Sequence, residues 1–254
     1  MNLTPHNKPD HLQNQPLLSV VIPAFNEENR IQSTLKKIIT YLDKQSYKWE
    51  VLVIDDGSSD RTSEMANKWS QKSSGAVKIE TIPHGGKGWA VKQGMLHALG
   101  KYRFMCDADL AMPIEKLGVF LSTISQGYDI VIGSRQKSGA RRHNEPISRH
   151  IIGRVFNWSV KTMVVGGFED TQCGFKCFSG HIADDLFGAQ KITGFAFDVE
   201  ILHMAIEKGL QVIEIPIDWH YQKDSKVRVY IDSFAMLRDV IRIKFSRARI
   251  KYLS

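Results

Sequence analysis

Asp107 and Asp109 are separated by one residue, directly after the strand-like segment Tyr102 to Cys106. In extended chain both carboxylates face one side while Ala108 turns away. Two such carboxylates, with phosphate oxygens completing the shell, are how Mg2+ or Mn2+ is normally held. Taken alone, the pair reads equally as two solvated or helix-capping aspartates. A second acidic cluster, Asp55-Asp56-Gly57-Ser58-Ser59-Asp60, follows the apolar run Val51 to Ile54. It reads as a turn and N-cap or, at a strand end, as a carboxylate for a ribose or a base. His84-Gly85-Gly86-Lys87-Gly88 offers backbone N–H groups and a lysine to a diphosphate. That segment is neither a Walker A loop nor a dinucleotide fingerprint, which disfavours a P-loop kinase or a Rossmann dehydrogenase. Asp198 and Glu200, with Asp170 third, are the carboxylates that could act as a base toward a hydroxyl acceptor.

The elements that must position these groups alternate in type. The segments Leu17 to Ile22 (apolar but for Ser19), Val51 to Ile54, Val77 to Ile82, Tyr102 to Cys106 and Ile130 to Gly133 read as strands. Between them, helical spacing covers Glu27 to Leu42, Arg61 to Ser70, the HGGKG segment through Leu99, and Ile114 to Ser125. This pattern predicts a parallel sheet covered on both faces, and ligands bind such sheets at the carboxyl ends of the strands. The acidic and glycine-rich segments all fall at those ends. Later the pattern loosens into a helix around Ile151 to Met163, a strand at Cys173 to Phe178, a helix at Phe197 to Lys208, a strand at Val212 to Ile217 and an amphipathic C-terminal helix. The expected division is a mobile tail at 1–16, one domain at 17–230 and a basic helix at 231–254. Within the domain, 17–134 would bind nucleotide and 135–230 would face an acceptor.

The chain has 254 residues, 43% of them hydrophobic and 24% charged, a composition that excludes disordered and fibrous classes. Three cysteines cannot form a disulfide framework, which points to a reducing compartment. No apolar run approaches the roughly 20 residues that span a bilayer, and the first sixteen residues are too polar for a signal peptide. The net charge of +7 is concentrated. Residues 135–161 hold seven Lys/Arg against Glu145, and 220–254 hold nine against Asp224, Asp232 and Asp239. Two basic segments on an acidic body imply an anionic partner, which charge alone leaves open among nucleic acid, phosphorylated lipid and anionic membrane. No nucleic-acid recognition motif is present, and nucleic acid is not expected as a partner.

The segments VVIPAFNEE (from Val20), VLVIDDGSSDRT (from Val51), GGKGWAV (from Gly85), CDADLAMP (from Cys106) and GSR (from Gly133) occur in order and at characteristic spacing. As a set they resemble a family 2 glycosyltransferase. DTQCGFKCF (from Asp170) and GFAFDVEIL (from Gly194) extend the resemblance to the polyprenyl-phosphate branch, most closely to dolichyl-phosphate β-glucosyltransferases. The resemblance covers residues 17 to 230. It implies a GT-A, Rossmann-like α/β fold with a mixed, mainly parallel sheet flanked by helices. It also implies an inverting, metal-dependent transfer of a hexose, glucose from UDP-glucose, to a polyprenyl phosphate at the membrane surface.

By matching motif, Pro23, Phe25, Glu27, Ile54 and Asp56 would line the nucleoside, Lys87 the diphosphate, and Asp107 and Ala108 the ribose and diphosphate. Asp109 would be the firmest ligand of Mg2+ or Mn2+, with Asp107 beside it. Arg135 and Arg149 would bind the acceptor phosphate or the donor diphosphate, with Lys191 and Ser225 as further acceptor-phosphate contacts. Two positions depart from the pattern. Ala111 stands where mannose synthases carry a metal-binding glutamine, so water or donor must complete the shell, and the donor tilts toward UDP-glucose. Asp224 replaces a glycine beside Ser225.

Relatives of this kind commonly carry transmembrane helices. The stretches Ser148 to Val165 and Phe234 to Tyr252 instead alternate Arg and Lys with Ile, Val, Phe and Trp. They read as interfacial helices on an anionic leaflet, which would place the protein peripherally on the cytoplasmic membrane face. A separate membrane subunit is the other way to supply an anchor. The competing functional readings are transfer to a soluble or cell-envelope sugar hydroxyl, or use of GDP-mannose.

Overall fold

The computed structural model describes residues 15–146, 164–222 and 235–245. Seven strands form one twisted sheet: β1 (Leu18–Ala24), β2 (Trp49–Asp55), β3 (Val77–Thr81), β4 (Tyr102–Met105), β5 (Ile130–Ser134), β7 (Lys176–Ser179) and β8 (Val212–Pro216), in the order β3-β2-β1-β4-β7-β5-β8. Every pairing is parallel except those of β7, which runs antiparallel between β4 and β5. A two-stranded parallel ribbon, β6 (Arg141–His143) with β9 (Asp218–His220), stands apart.

Alternation along the strands sorts their side chains onto two cores. Val20 and Ile22 of β1, Val51 and Val53 of β2, and Phe104 of β4 join α1 (Ile31–Leu42) and α4 (Leu117–Ile124) on one face. Val21, Leu52, Ile54, Met105 and Ile132 point to the other face. There they meet α3 (Lys87–His97), α5 (Gly180–Ala189), α6 (Phe197–Glu207) and the helix at 235–245. On α1, Ile31, Leu35, Ile38 and Leu42 recur at helical spacing and are fully buried, each side chain contributing about 1.5–3 kcal/mol. Helix α2 (Thr62–Ser70) packs beside β3.

The structure bears out the mixed, mainly parallel α/β sheet and shifts several boundaries. The first helix begins at Ile31, because Asn26 adopts φ 54° and its N–H and that of Glu27 bond to Ser58 Oγ and Thr62 Oγ1. α3 stops at His97, since Ala98 turns extended and the Leu99 N–H is captured by Glu50 Oε1 at 2.6 Å. The β7 strand occupies Lys176–Ser179 rather than starting at Cys173, and α5, β6 and β9 were not foreseen. All three cysteines are free and buried. The expected helix around 151–163 and the tail up to residue 14 lie outside the described residues.

Candidate active site

The carboxyl ends of β1, β2 and β4 and the start of α3 converge, and β7 enters from the same side. Asp107 and Asp109 leave β4 in a tight turn, in which Leu110 takes φ 44° and its N–H bonds to the Asp107 carbonyl at 3.0 Å. Ala108 is buried, as its inward position in the motif requires, and its carbonyl accepts the Thr34 hydroxyl of α1 at 2.6 Å. It contributes a fixed backbone, with its methyl group in the core. Asp109 Oδ1 accepts the Ala111 N–H at 3.1 Å. Burial, and then the neighbouring Asp107 charge, raise the Asp109 carboxyl above the ordinary carboxylate range.

Lys87 opens α3, with its Nζ 2.6 Å from Asp107 Oδ1. Burial acts to lower its pKa, but the charges of Asp107, Asp198 and Asp109 outweigh it and raise the ammonium's pKa. The helix start is locked in place. Gly86 has φ 102° and sits so close to the Thr193 carbonyl that a Cβ would lie 2.8 Å from it, so another residue would meet both strain and a clash. Trp89 N–H donates to the Thr193 carbonyl at 3.0 Å, and Gln190 Nε2 donates to the Gly88 carbonyl at 2.9 Å.

The loop before β7 closes over the aspartates from the other side. Gly174 lies against Asp107 so tightly that a Cβ there would run into its carboxylate. Two residues on, Lys176 is 1% exposed, and its Nζ donates to Asp198 Oδ1 at 2.7 Å and to the Cys173 carbonyl at 2.5 Å. Asp198, in the first turn of α6, is itself 4% exposed. Burial pushes its carboxyl upward, against the opposing pull of Lys176 and Lys87.

A second buried ion pair lies after β5. Arg135 Nε and Nη2 donate to Asp170 Oδ2 and Oδ1 at 2.6 and 2.9 Å, and the Arg135 N–H reaches the same carboxylate at 3.0 Å. The Arg135 guanidinium also lies 5.6 Å from the centre of the Trp219 ring. Burial alone would raise the Asp170 carboxyl, but Arg135 more than offsets it and holds its pKa at about 2. Glu214 supports the pair from below by accepting the N–H groups of Glu169 and Asp170, each at 2.9 Å.

The other predicted residues are placed as follows. Pro23 and Ile54 are register partners at the ends of β1 and β2, both buried. Phe25 is exposed and stacks on His84, ring centroids 4.4 Å apart, forming an aromatic ledge at the rim. Glu27 pairs with Arg30 at 2.6 Å. Asp56 is buried, and its carboxylate accepts the N–H groups of Gly85 and Gly86 at 2.8 and 2.9 Å. Those two N–H groups were expected to cradle a diphosphate. Here they are donated to Asp56, while Lys87 offers its ammonium at the start of α3. Lys191 is exposed, and its N–H is held by Glu200, whose carboxylate also accepts the Ile192 N–H at 2.8 Å. Arg149 and Ser225 lie outside the described residues. Lys176, Gly174 and Glu214 were missed. A lysine inside the apolar run Cys173 to Phe178 was the available signal, because a buried ammonium requires an anionic partner.

Residues 19–183 match the sequence model of the family described as Glycosyl transferase family 2. A dolichyl-phosphate beta-glucosyltransferase from Dictyostelium discoideum is 34% identical over 241 residues, covering 90% of this chain and 74% of the relative. The enzyme of that name from Saccharomyces cerevisiae is 34% identical over 264 residues, covering 96% and 78%, and the one from Homo sapiens is 33% identical over 255 residues, covering 93% and 76%. Among solved structures, glucosyl-3-phosphoglycerate synthase from Mycobacterium tuberculosis in complex with Mn2+, UDP-glucose and phosphoglyceric acid superposes with TM-score 0.66 at 18% identity. That match covers 91% of this chain and 79% of the other, a likeness of fold. The convergence of acidic strand ends on Lys87, the match over residues 19–183 and relatives similar over nearly the whole chain agree: this protein belongs to glycosyl transferase family 2.

Proposed function

We propose that this protein transfers glucose from UDP-glucose to a polyprenyl phosphate, with inversion at the sugar. One observation carries the acceptor class: each carboxylate suited to act as a base is already committed to a partner. Asp198 is paired with Lys176, Asp170 is bracketed by Arg135, and Glu200 holds the loop at 191–192. A sugar hydroxyl needs its proton removed, whereas a phosphate monoester is already ionised near neutral pH and attacks unaided. The glucosyl donor and the lipid acceptor agree with the dolichyl-phosphate beta-glucosyltransferases that the chain resembles, and UDP-glucose with the ligand of the structural neighbour.

The residues present fit a divalent ion. Asp107 and Asp109 offer hard oxygen donors, and Asp107 already holds a cation, the Lys87 ammonium. Mg2+ or Mn2+ bound there would neutralise the leaving diphosphate. Lys87 would then face the diphosphate, and the ledge of Phe25 and His84 would border the base. Arg135, oriented by Asp170 and Trp219, would present its remaining N–H edge to the acceptor phosphate.

Among the described residues no helix is long and apolar enough to cross a membrane. The helix at 235–245 has two apolar stripes: Met236, Val240 and Ile243 are buried, while Leu237, Ile241 and Phe245 are exposed at 36%, 41% and 66%. Arg238, Arg242 and Lys244 flank the exposed stripe. That combination supports peripheral attachment to an anionic cytoplasmic leaflet, where the acceptor would lie.

The test is transfer of radiolabelled sugar from UDP-glucose and, separately, GDP-mannose into polyprenyl phosphate in anionic vesicles, with Mn2+ or Mg2+. Labelled lipid from UDP-glucose, absent with Asp109→Ala, is the expected result. Hydrolysis of UDP-glucose without labelled lipid would move the acceptor to a soluble hydroxyl.

A further inference from the structure

The Lys87–Asp107 contact raises a question that the proposed chemistry leaves open. An ammonium 2.6 Å from Asp107 Oδ1 occupies an oxygen that a divalent ion would also need. Lys176 cannot yield, because it is 1% exposed and bound to both Asp198 and the Cys173 carbonyl. The Lys87 side chain is different, being 24% exposed at the first position of α3. The helix start that carries it is held by the contacts of Thr193 with Trp89 and of Gln190 with Gly88, which leaves the Lys87 side chain as the part to swing.

Charge gives the swing a direction. Asp107, Asp109 and Asp198 against Lys87 and Lys176 leave one net negative charge in the cluster. A divalent ion alone would reverse that sign and place two cations on one carboxylate. A divalent ion arriving with a diphosphate, which carries two negative charges in a nucleotide sugar, restores the original balance. The diphosphate also gives the displaced ammonium a new anion within reach of the same helix start.

We propose that Lys87 is an internal competitor for the divalent-ion site: its ammonium holds Asp107 until the diphosphate of the donor draws it away, so that ion and donor bind together. The proposal rests on the reading of this crevice as a UDP-sugar site. It makes Lys87 a residue with two successive partners, Asp107 and then the diphosphate. It also gives the protein a means of rejecting a divalent ion that arrives without donor.

The experiment is titration of the purified protein with Mn2+, following free Mn2+ by electron paramagnetic resonance, with and without UDP, for wild type, Lys87→Met and Lys87→Arg. Thermal melting of each variant verifies folding. In wild type, UDP should tighten Mn2+ binding by about tenfold or more, within the usual range of coupling between sites. Lys87→Met should bind Mn2+ alone about tenfold or more tighter than wild type, and UDP should add little further. Lys87→Arg keeps the cation and should bind Mn2+ alone as weakly as wild type. Equal Mn2+ affinity of wild type and Lys87→Met without UDP overturns the proposal, as does equal tightening by UDP in both. A gain in Lys87→Met with no response of wild type to UDP supports the competition and overturns the UDP-sugar reading instead.

Discussion

The buried pair of Lys176 and Asp198 separates a structural role from a catalytic one. Its partners are 1% and 4% exposed and 2.7 Å apart, so each is the nearest compensation for the other's buried charge. Removing one partner from such a pair leaves an uncompensated buried charge, at a cost of about 3–5 kcal/mol. In a protein of this size about 1 kcal/mol moves the melting temperature by roughly 2–4 °C, so Lys176→Met or Asp198→Asn should each lower it by about 10 °C. The double variant Lys176→Met with Asp198→Leu removes both charges and should recover most of that loss. Activity answers a different question. Loss of a general base costs about a hundredfold to ten-thousandfold, whereas Asp198→Asn, assayed well below its melting temperature, should keep transfer to polyprenyl phosphate within about tenfold of wild type. Circular-dichroism melts and single-turnover transfer with labelled UDP-glucose provide the two measurements. A hundredfold loss of transfer in folded Asp198→Asn would refute the base-free mechanism. Additive losses in the double variant would refute the mutual compensation.

Three further outcomes are expected. Because Asp170 titrates at about 2 when folded, against an ordinary value of 3.8, its contribution is complete above about pH 4 and is lost as pH falls toward 2. The difference is worth about 2 kcal/mol, so in urea melts across that window Asp170→Asn should be less stable at neutral pH and less sensitive to acid. Gly174→Ala, at a position where the backbone tolerates alanine but a Cβ meets the Asp107 carboxylate, should melt near wild type while binding Mn2+ about tenfold more weakly by paramagnetic resonance. Replacing Leu237, Ile241 and Phe245 together by serine should leave the melting temperature within a few degrees and cut cosedimentation with anionic vesicles by about tenfold or more.

The strands were legible because buried β1, β2, β4 and β5 are mainly apolar, with Ser19, Glu50 and Arg103 among the buried exceptions, and the acidic motifs announced the carboxyl ends of β2 and β4. Asp107 and Asp109 fall where that logic places them, as does Lys87 at the start of α3. Less legible was everything that depends on partners distant in sequence. Asp56, expected to line the nucleoside, also accepts N–H groups 29 and 30 residues away, which its own segment does not announce. The partners of Asp198 and Glu200 were equally hidden, a lysine on β7 for one and the N–H groups of the 191–192 loop for the other. Helix α5 escaped notice because Gly180 and Gly188 sit at its ends and two aspartates interrupt it, although Ile182 and Leu186 keep helical spacing. The direction of β7 is invisible to periodicity, which reports burial and not orientation.

That direction has a consequence for how the chain assembles. β4 and β5 follow one another in sequence but never touch, since β7 lies between them and cannot be made until residues 176–179 leave the ribosome. Until then the nascent first half presents an unsatisfied strand edge at β4, and β5 has no seat. Closure of such long-range pairings is slow, and chaperones act in that interval. Both buried ion pairs wait on this late segment: Arg135 pairs with Asp170 in the loop leading into β7, and Lys176 of β7 with Asp198 of α6. A chain stalled before β7 is complete would therefore carry the segments around Asp107 and Lys87 without the strand that joins β4 to β5.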